Sequence, residues 1–227
     1  MNAESFLTEK ERAEVEEAVE RAEDRTAAEL ACGVATESDR YDRAESLAGL
    51  GLGLVFLGLL DAGYGVSLGA GGSWEAGGGV AFAWQSVAVV AGFVLGSVIA
   101  SYWHGLRRLM VSPEHLTVAV ERAAWRVFGR RRVSSTEQRS GILIYVSLFE
   151  RRVSVLADET AREILGKEGI ETLKETAVDQ LAEGRSKETF VATIEKAAEL
   201  LESELPAGEQ DVDELADHLE VFHPRPD

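Results

Sequence analysis

Cysteine, proline, methionine and positive charge are all scarce in this chain, and each scarcity excludes something. The single cysteine, Cys32, rules out an intrachain disulfide; on an apolar stripe, it reads as a small buried core residue. Lys and Arg number 23 against 40 Asp and Glu, for a net charge of −17. Phosphate backbones are bound through basic side chains, so the balance argues against nucleic acid as a partner. An acidic solvated surface, or adaptation to high salt, accounts for it. Four histidines (His104, His115, His218, His223) lack the HExxH or any comparable spacing, which removes the usual zinc sites. The chain also has no GxSxG, Walker A or Rossmann fingerprint; Gly69-Ala-Gly-Gly lacks the following lysine.

Charge is missing altogether from two stretches, Leu47–Leu60 and Val80–Tyr102. The second is 23 residues, about 35 Å as a helix, enough for a ~30 Å hydrocarbon core. The first is 14 residues and reaches that length when extended back to Ala44 or forward through Asp61 to Leu68. Between them Gly69, Gly71, Gly72, Gly77, Gly78 and Gly79 supply a turn. The reading is a helical hairpin through a bilayer; the competing one is a pair of buried core helices. Asp61, near the turn, reads as a solvated acid. The first 30 residues are charged, with no apolar run after a basic start, so the first span is expected to direct insertion itself. Arg40 and Arg43 precede the hairpin, Arg107 and Arg108 follow it, and the loop from Asp61 to Gly79 has no Lys or Arg. The positive-inside bias then puts both flanks in the cytoplasm of an inner-membrane protein, with Tyr64, Trp74, Trp84, Tyr102 and Trp103 near the interfaces. Gly49-xxx-Gly53 and Gly92-xxx-Gly96 present small-residue faces, for packing within the hairpin or for a homodimer.

Thr8-Glu9-Lys10-Glu11 is a capping box opening a helix to about Asp24, with Val15, Ala18, Val19 and Ala22 on one face and mostly Glu on the other. The period changes to two over Ala28–Thr36, giving a strand with Leu30, Cys32 and Val34 on one side. After the hairpin, Ser112-Pro113-Glu114 starts a helix patterned by Leu116, Ala119, Val120, Ala123, Ala124, Val127 and Phe128. The segment 103–139 carries eight Arg against three Glu, and Arg130-Arg131-Arg132 falls in the loop after this helix, as a solvated loop or a contact for anionic headgroups. Gly141–Leu148 is apolar on both faces, as a central strand covered on each side should be. Phe149-Glu150 turns into a less buried strand over Arg151–Asp158. Three helical segments follow: a short one near Glu159–Leu165, one from Gly169 to Ala182 and one from Lys187 to Leu205. The acidic tail, 207–227, is expected to be largely mobile, with a weak helical turn through Leu215, Leu219 and Phe222.

The parts 1–43 and 112–206 cannot each bury their apolar faces, so they are expected to form one small three-layer α/β sheet domain, interrupted by the two-helix transmembrane hairpin of 44–103. This order, with "RTAAELACGVA" (Arg25–Ala35), "GLRRLMVSP" (Gly105–Pro113), "RSGILIYVSLFERRVSVLAD" (Arg139–Asp158) and "LAEGRSKETFVATIEKAAELLESELP" (Leu181–Pro206), resembles the TPM domain family, in its bacterial branch with a membrane hairpin inside the domain. The resemblance covers about residues 5–206. It implies a phosphatase, a calcium binder or an accessory factor for membrane complexes. The family's Gly-x-Gly turn after the second strand is replaced by Asp158-Glu159-Thr160.

Asp158, Glu159 and Glu168 are the candidate ligands for Ca²⁺ or Mg²⁺ at a strand end, no other cofactor being implied. Charge at a helix N-terminus explains the first two without a metal. Two functions follow. One is a membrane-anchored, non-catalytic interaction module that assists assembly or stability of another membrane protein or complex. The alternative is a divalent-metal-dependent phosphatase.

Overall fold

A computed structural model describes residues 2–67, 78–130, 133, 139–208 and 218–226. The Gly-rich turn, Trp74, Arg131, Arg132 and Leu215 lie outside these residues, as do the side chains of Asp61 and Tyr64. The chain forms two compact units, one of Met1–Asp39 with Pro113–Asp227, the other of Arg40–Ser112.

In the first unit, a 3-10 turn (Ala3–Ser5) leads to α1 (Glu9–Glu23). The Thr8 capping box is present: its hydroxyl accepts from the Glu11 amide, and Glu11 accepts from the Thr8 amide at 2.8 Å. Strand β1 (Leu30–Ala35) follows, then, beyond the other unit, α5 (Pro113–Arg130), β2 (Ile142–Ser147), β3 (Arg152–Ala157), α6 (Glu159–Ala182), α7 (Ser186–Leu201) and β4 (Glu220–Phe222). The sheet order is β3-β2-β1-β4. β1 runs parallel to β2, with Leu30 opposite Ile142 and Ala35 opposite Ser147, and parallel to β4, with Gly33 opposite Glu220. β2 and β3 are antiparallel.

The even residues of β1 and β2 (Leu30, Cys32, Val34, Ile142, Ile144, Val146) pack with Val15, Val19, Phe190, Ile194 and Leu201 of α1 and α7. The odd ones (Ala31, Ala35, Leu143, Tyr145) pack with Val120, Ala124, Val127 and Phe128 of α5. Both faces are therefore covered, and a six-residue strand buried throughout has no polar side to show, as Ile142–Ser147 illustrates. β3 is only partly buried. Lys187 Nζ, 2.7 Å from Glu14 Oε2, ties α7 to α1 and holds the Glu14 carboxyl below its usual range. The break expected between Leu165 and Gly169 is a one-residue kink at Gly166, whose φ of 59° suits glycine.

Over 218–226 the tail departs from the expectation of a mobile segment, the rest of the expected helical turn lying outside the described residues. Glu220–Phe222 form β4, with Leu219 and Phe222 buried. Its cause is tertiary: β1 has a second edge whose amides and carbonyls need partners, and Thr36 N–H donates to Phe222 O at 3.1 Å.

The second unit consists of α2 (Asp42–Ser67), α3 (Gly78–Tyr102) and α4 (His104–Leu109), the last a turn of helix not anticipated from the sequence. The helices α2 and α3 pack as a hairpin through the two glycine pairs. A Cβ on Gly92 would lie 2.7 Å from Gly53 Cα, and one on Gly96 would lie 2.9 Å from Gly49 Cα. Backbone thus meets backbone, and only glycine permits it. Away from this seam Leu47, Leu54, Val55, Val87, Val90, Val94 and Val98 are exposed. Both helices are long and apolar enough to cross a membrane.

Two outcomes follow from this packing. Gly92→Val forces α2 and α3 apart and lowers the midpoint of SDS-induced unfolding, whereas Gly51→Val, facing open space, leaves it unchanged. Phe222→Ala costs the first unit about 3–5 kcal/mol in chemical denaturation, as a buried aromatic should and a mobile tail would not.

Candidate functional site

The turn between β2 and β3 carries a charged residue, Glu150, and the structure buries it. Glu150 is fully buried, with Ser38, Tyr145 and Ser147 around it also fully buried. The turn is pulled inward by the end of β1: Leu148 N–H donates to Ala35 O at 3.0 Å and Phe149 N–H to Thr36 O at 2.9 Å. Arg151 takes a φ of 52° to close it, a left-handed conformation costing about 1–2 kcal/mol in a non-glycine residue. Glu150 then accepts from Ser38 N–H at 2.9 Å and from the Ser147 hydroxyl. The Ser38 hydroxyl is 2.7 Å from Ser147 Oγ and 3.1 Å from the Tyr145 hydroxyl. Arg126 of α5 donates to Ser38 O at 3.2 Å.

This node fixes Ser38 by both its amide and its carbonyl, just before the second unit begins at Arg40. The other junction is held similarly: Arg152 donates to Pro113 O at 3.1 Å. A buried carboxylate is costly unless it is hydrogen-bonded, and here its donors come from two separate chain segments. The arrangement positions the backbone; with all four side chains sealed from solvent it offers no surface to a substrate. Sequence reasoning missed Glu150 because a charged turn residue is ordinarily exposed. The nearest signal was the pair of hydroxyls at Tyr145 and Ser147, on the strand just before it.

The sequence-derived acids lie elsewhere, at the end of β3. Asp158 occupies the N-cap of α6 without the side-chain bond typical of a cap. Its amide donates to Gly141 O and its carbonyl receives Arg162 N–H, both at 2.8 Å, while its Oδ2 is buried with no hydrogen-bond partner. Glu159 is exposed and paired with Arg139. Glu168 is exposed on α6, beyond the Gly166 kink. Asp158 and Glu159 are thus brought together as neighbours on one helix start, while Glu168 lies further down that helix. Among the described residues no three His, Cys, Asp or Glu side chains converge to hold a metal ion. His115 sits 3.9 Å from Asp39, and His223 Nδ1 is 2.9 Å from Thr36 Oγ1, so these two histidines serve separate contacts. Cys32 is buried in the core.

The electrostatics of the node make two outcomes measurable. Burial pushes the Tyr145 hydroxyl well above the ordinary tyrosine range; the Ser38 hydrogen bond opposes it, the Glu150 charge adds to it and Arg126 opposes it. The unfolded chain releases this proton near pH 10 and the folded chain retains it. Above pH 10, Tyr145 therefore lowers stability by about 1.4 kcal/mol per pH unit, and below pH 10 its contribution is constant. Ultraviolet titration at alkaline pH should show one of the four tyrosines ionising only as the fold is lost. Glu150→Ala strands the Ser38 amide, costing about 1–3 kcal/mol for a buried donor left unpaired, readable by denaturant titration.

No protein-family model matches the chain, and no curated protein matches it in sequence. Among solved structures it is similar to the BA42 protein of the psychrophilic bacterium Bizionia argentinensis, determined by NMR. The two share 17% identity with a TM-score of 0.58, over 96% of this chain and 97% of that one. The likeness, at that identity, is one of fold: an α/β architecture that this chain shares with BA42.

Proposed function

We propose that the protein is a membrane-anchored interaction module. Its hairpin α2–α3 crosses a bilayer, and its TPM-like α/β unit works in the cytoplasm on the assembly or stability of another membrane protein or complex. One observation carries the anchoring: in each candidate span only 17% of the apolar window is buried within the chain. A core helix of a soluble protein would be mostly buried, whereas an outward face of Leu and Val matches lipid. The flanking Arg40, Arg43, Arg107 and Arg108, with no Lys or Arg between, support the orientation with both termini cytoplasmic.

A second reading, a phosphatase requiring Ca²⁺ or Mg²⁺, is favoured by one feature, the buried Asp158 Oδ2 without a hydrogen-bond donor. A cation could supply what the oxygen lacks. Against it, Glu159 is engaged by Arg139.

Two measurements separate the readings. Gentle solubilisation from the native membrane should copurify a stoichiometric membrane protein, released when exposed residues within 141–206 are substituted. A solitary protein would count against the module. Calorimetric titration with Ca²⁺ and Mg²⁺ should give no heat of binding in the wild type. Metal-dependent release of phosphate from a phosphomonoester, lost in Asp158→Ala, would establish the phosphatase instead.

A further inference from the structure

The chain leaves α3 through a one-residue break at Trp103, an elbow with an unusual surface. Tyr102 ends α3, Trp103 is outside any helix, α4 spans His104–Leu109 and Met110 follows. Four large side chains stand in the open here: Tyr102 is 82% exposed, Trp103 65%, Leu109 83% and Met110 37%. The start of α2 is fastened to the same place. Arg107 of α4 donates to Glu45 of α2 at 3.1 Å, both side chains being largely buried, and its guanidinium lies 5.7 Å from the Tyr41 ring centroid. The first turn of α2, with exposed Arg43, therefore shares this end of the unit with half-buried Arg108. All four basic residues of 40–112 flank the helices on this side of the sequence; Asp42 and Glu45 are the acids among them, and Glu45 is engaged by Arg107.

We propose that the elbow is a docking surface for the headgroup layer of an anionic bilayer, an assignment that rests on the bilayer reading of α2 and α3. Tyr102, Trp103, Leu109 and Met110 seat at the boundary between headgroups and acyl chains, and Arg43 and Arg108 contact the phosphates of acidic phospholipids. Continuity selects lipid over a protein partner, since the exposed face Val87-Val90-Val94-Val98 of α3 runs directly into the aromatic pair. Tyr and Trp combine an apolar ring with a polar edge and concentrate where hydrocarbon meets water. Guanidinium groups match phosphate oxygens in pairs and are weakly hydrated, so they fit the layer just above. A short helix carrying apolar and arginine side chains together lies in such a plane rather than across it. Each arginine near an anionic surface contributes about fivefold to its attraction.

The test uses the full chain in a Cys32→Ala background, reconstituted in nanodiscs of phosphatidylcholine with and without phosphatidylglycerol. A nitroxide is attached at Leu109→Cys or at Val94→Cys, and its collisions with oxygen and with a water-soluble nickel chelate give its depth. The Val94 label should be oxygen-accessible and nickel-protected, and the Leu109 label should sit at headgroup depth. A Leu109 label fully in water beside a deep Val94 label overturns the elbow while the hairpin reading stands. A Val94 label in water overturns both. Spin-labelled phosphatidylglycerol should associate with the wild type in preference to phosphatidylcholine, and the preference should fall towards unity in Arg43→Gln/Arg108→Gln. A preference unchanged in that double variant overturns the assignment of the two arginines.

Discussion

The fold depends on one strand having its partners supplied from elsewhere in the chain. Leu30–Ala35 is bonded in parallel on one edge to Ile142–Ser147 and on the other to Glu220–Phe222. A parallel pair always needs a long crossover, because the chain must return to the end from which it started. The crossover helix here is α5, lying over Tyr145 and Leu143. The second unit is an addition to a connection that the sheet already required. The geometry that lets a membrane-length hairpin interrupt a domain is thus the geometry of parallel pairing itself.

An interruption of this kind puts a demand on its two junctions. Thermal motion in a long insert is transmitted to the residues where it joins, and a strand edge held only by backbone bonds frays first at its end. The polar node answers that demand at one junction. Glu150 and Arg126, of opposite charge, hold the amide and carbonyl of the same residue, Ser38. Such a network is unforgiving of substitution, since every buried group in it relies on another. An apolar plug of similar volume would fill the space without holding the amide and carbonyl of Ser38.

Much of this architecture was legible from local pattern. Thr8 and Glu11 announced the first helix, the two-sided apolar run at Ile142 announced a covered strand, and the paired glycines announced a close helix seam. In each case the signal and its cause are neighbours in sequence. What escaped had a cause far away. Glu220–Phe222 is too short for any period to show, and it is a strand because Gly33–Ala35 offers an open edge. Glu150 is buried because Ser38 approaches it from 112 residues away in sequence. The acids at Asp158 and Glu159 were readable as a helix start, and Glu168 follows on the same helix beyond the Gly166 kink.

The discontinuity of the sheet also has a consequence in time. More than a hundred residues separate Ala35 from Ile142, so β1 leaves the ribosome roughly 5–20 seconds before its first partner exists, at ordinary elongation rates. In that interval an apolar strand with two bare edges is followed by the most hydrophobic part of the chain. The segment in front of it, Glu9–Glu23, carries seven glutamates against three basic residues. That density of like charge keeps nascent chains apart while β1 waits.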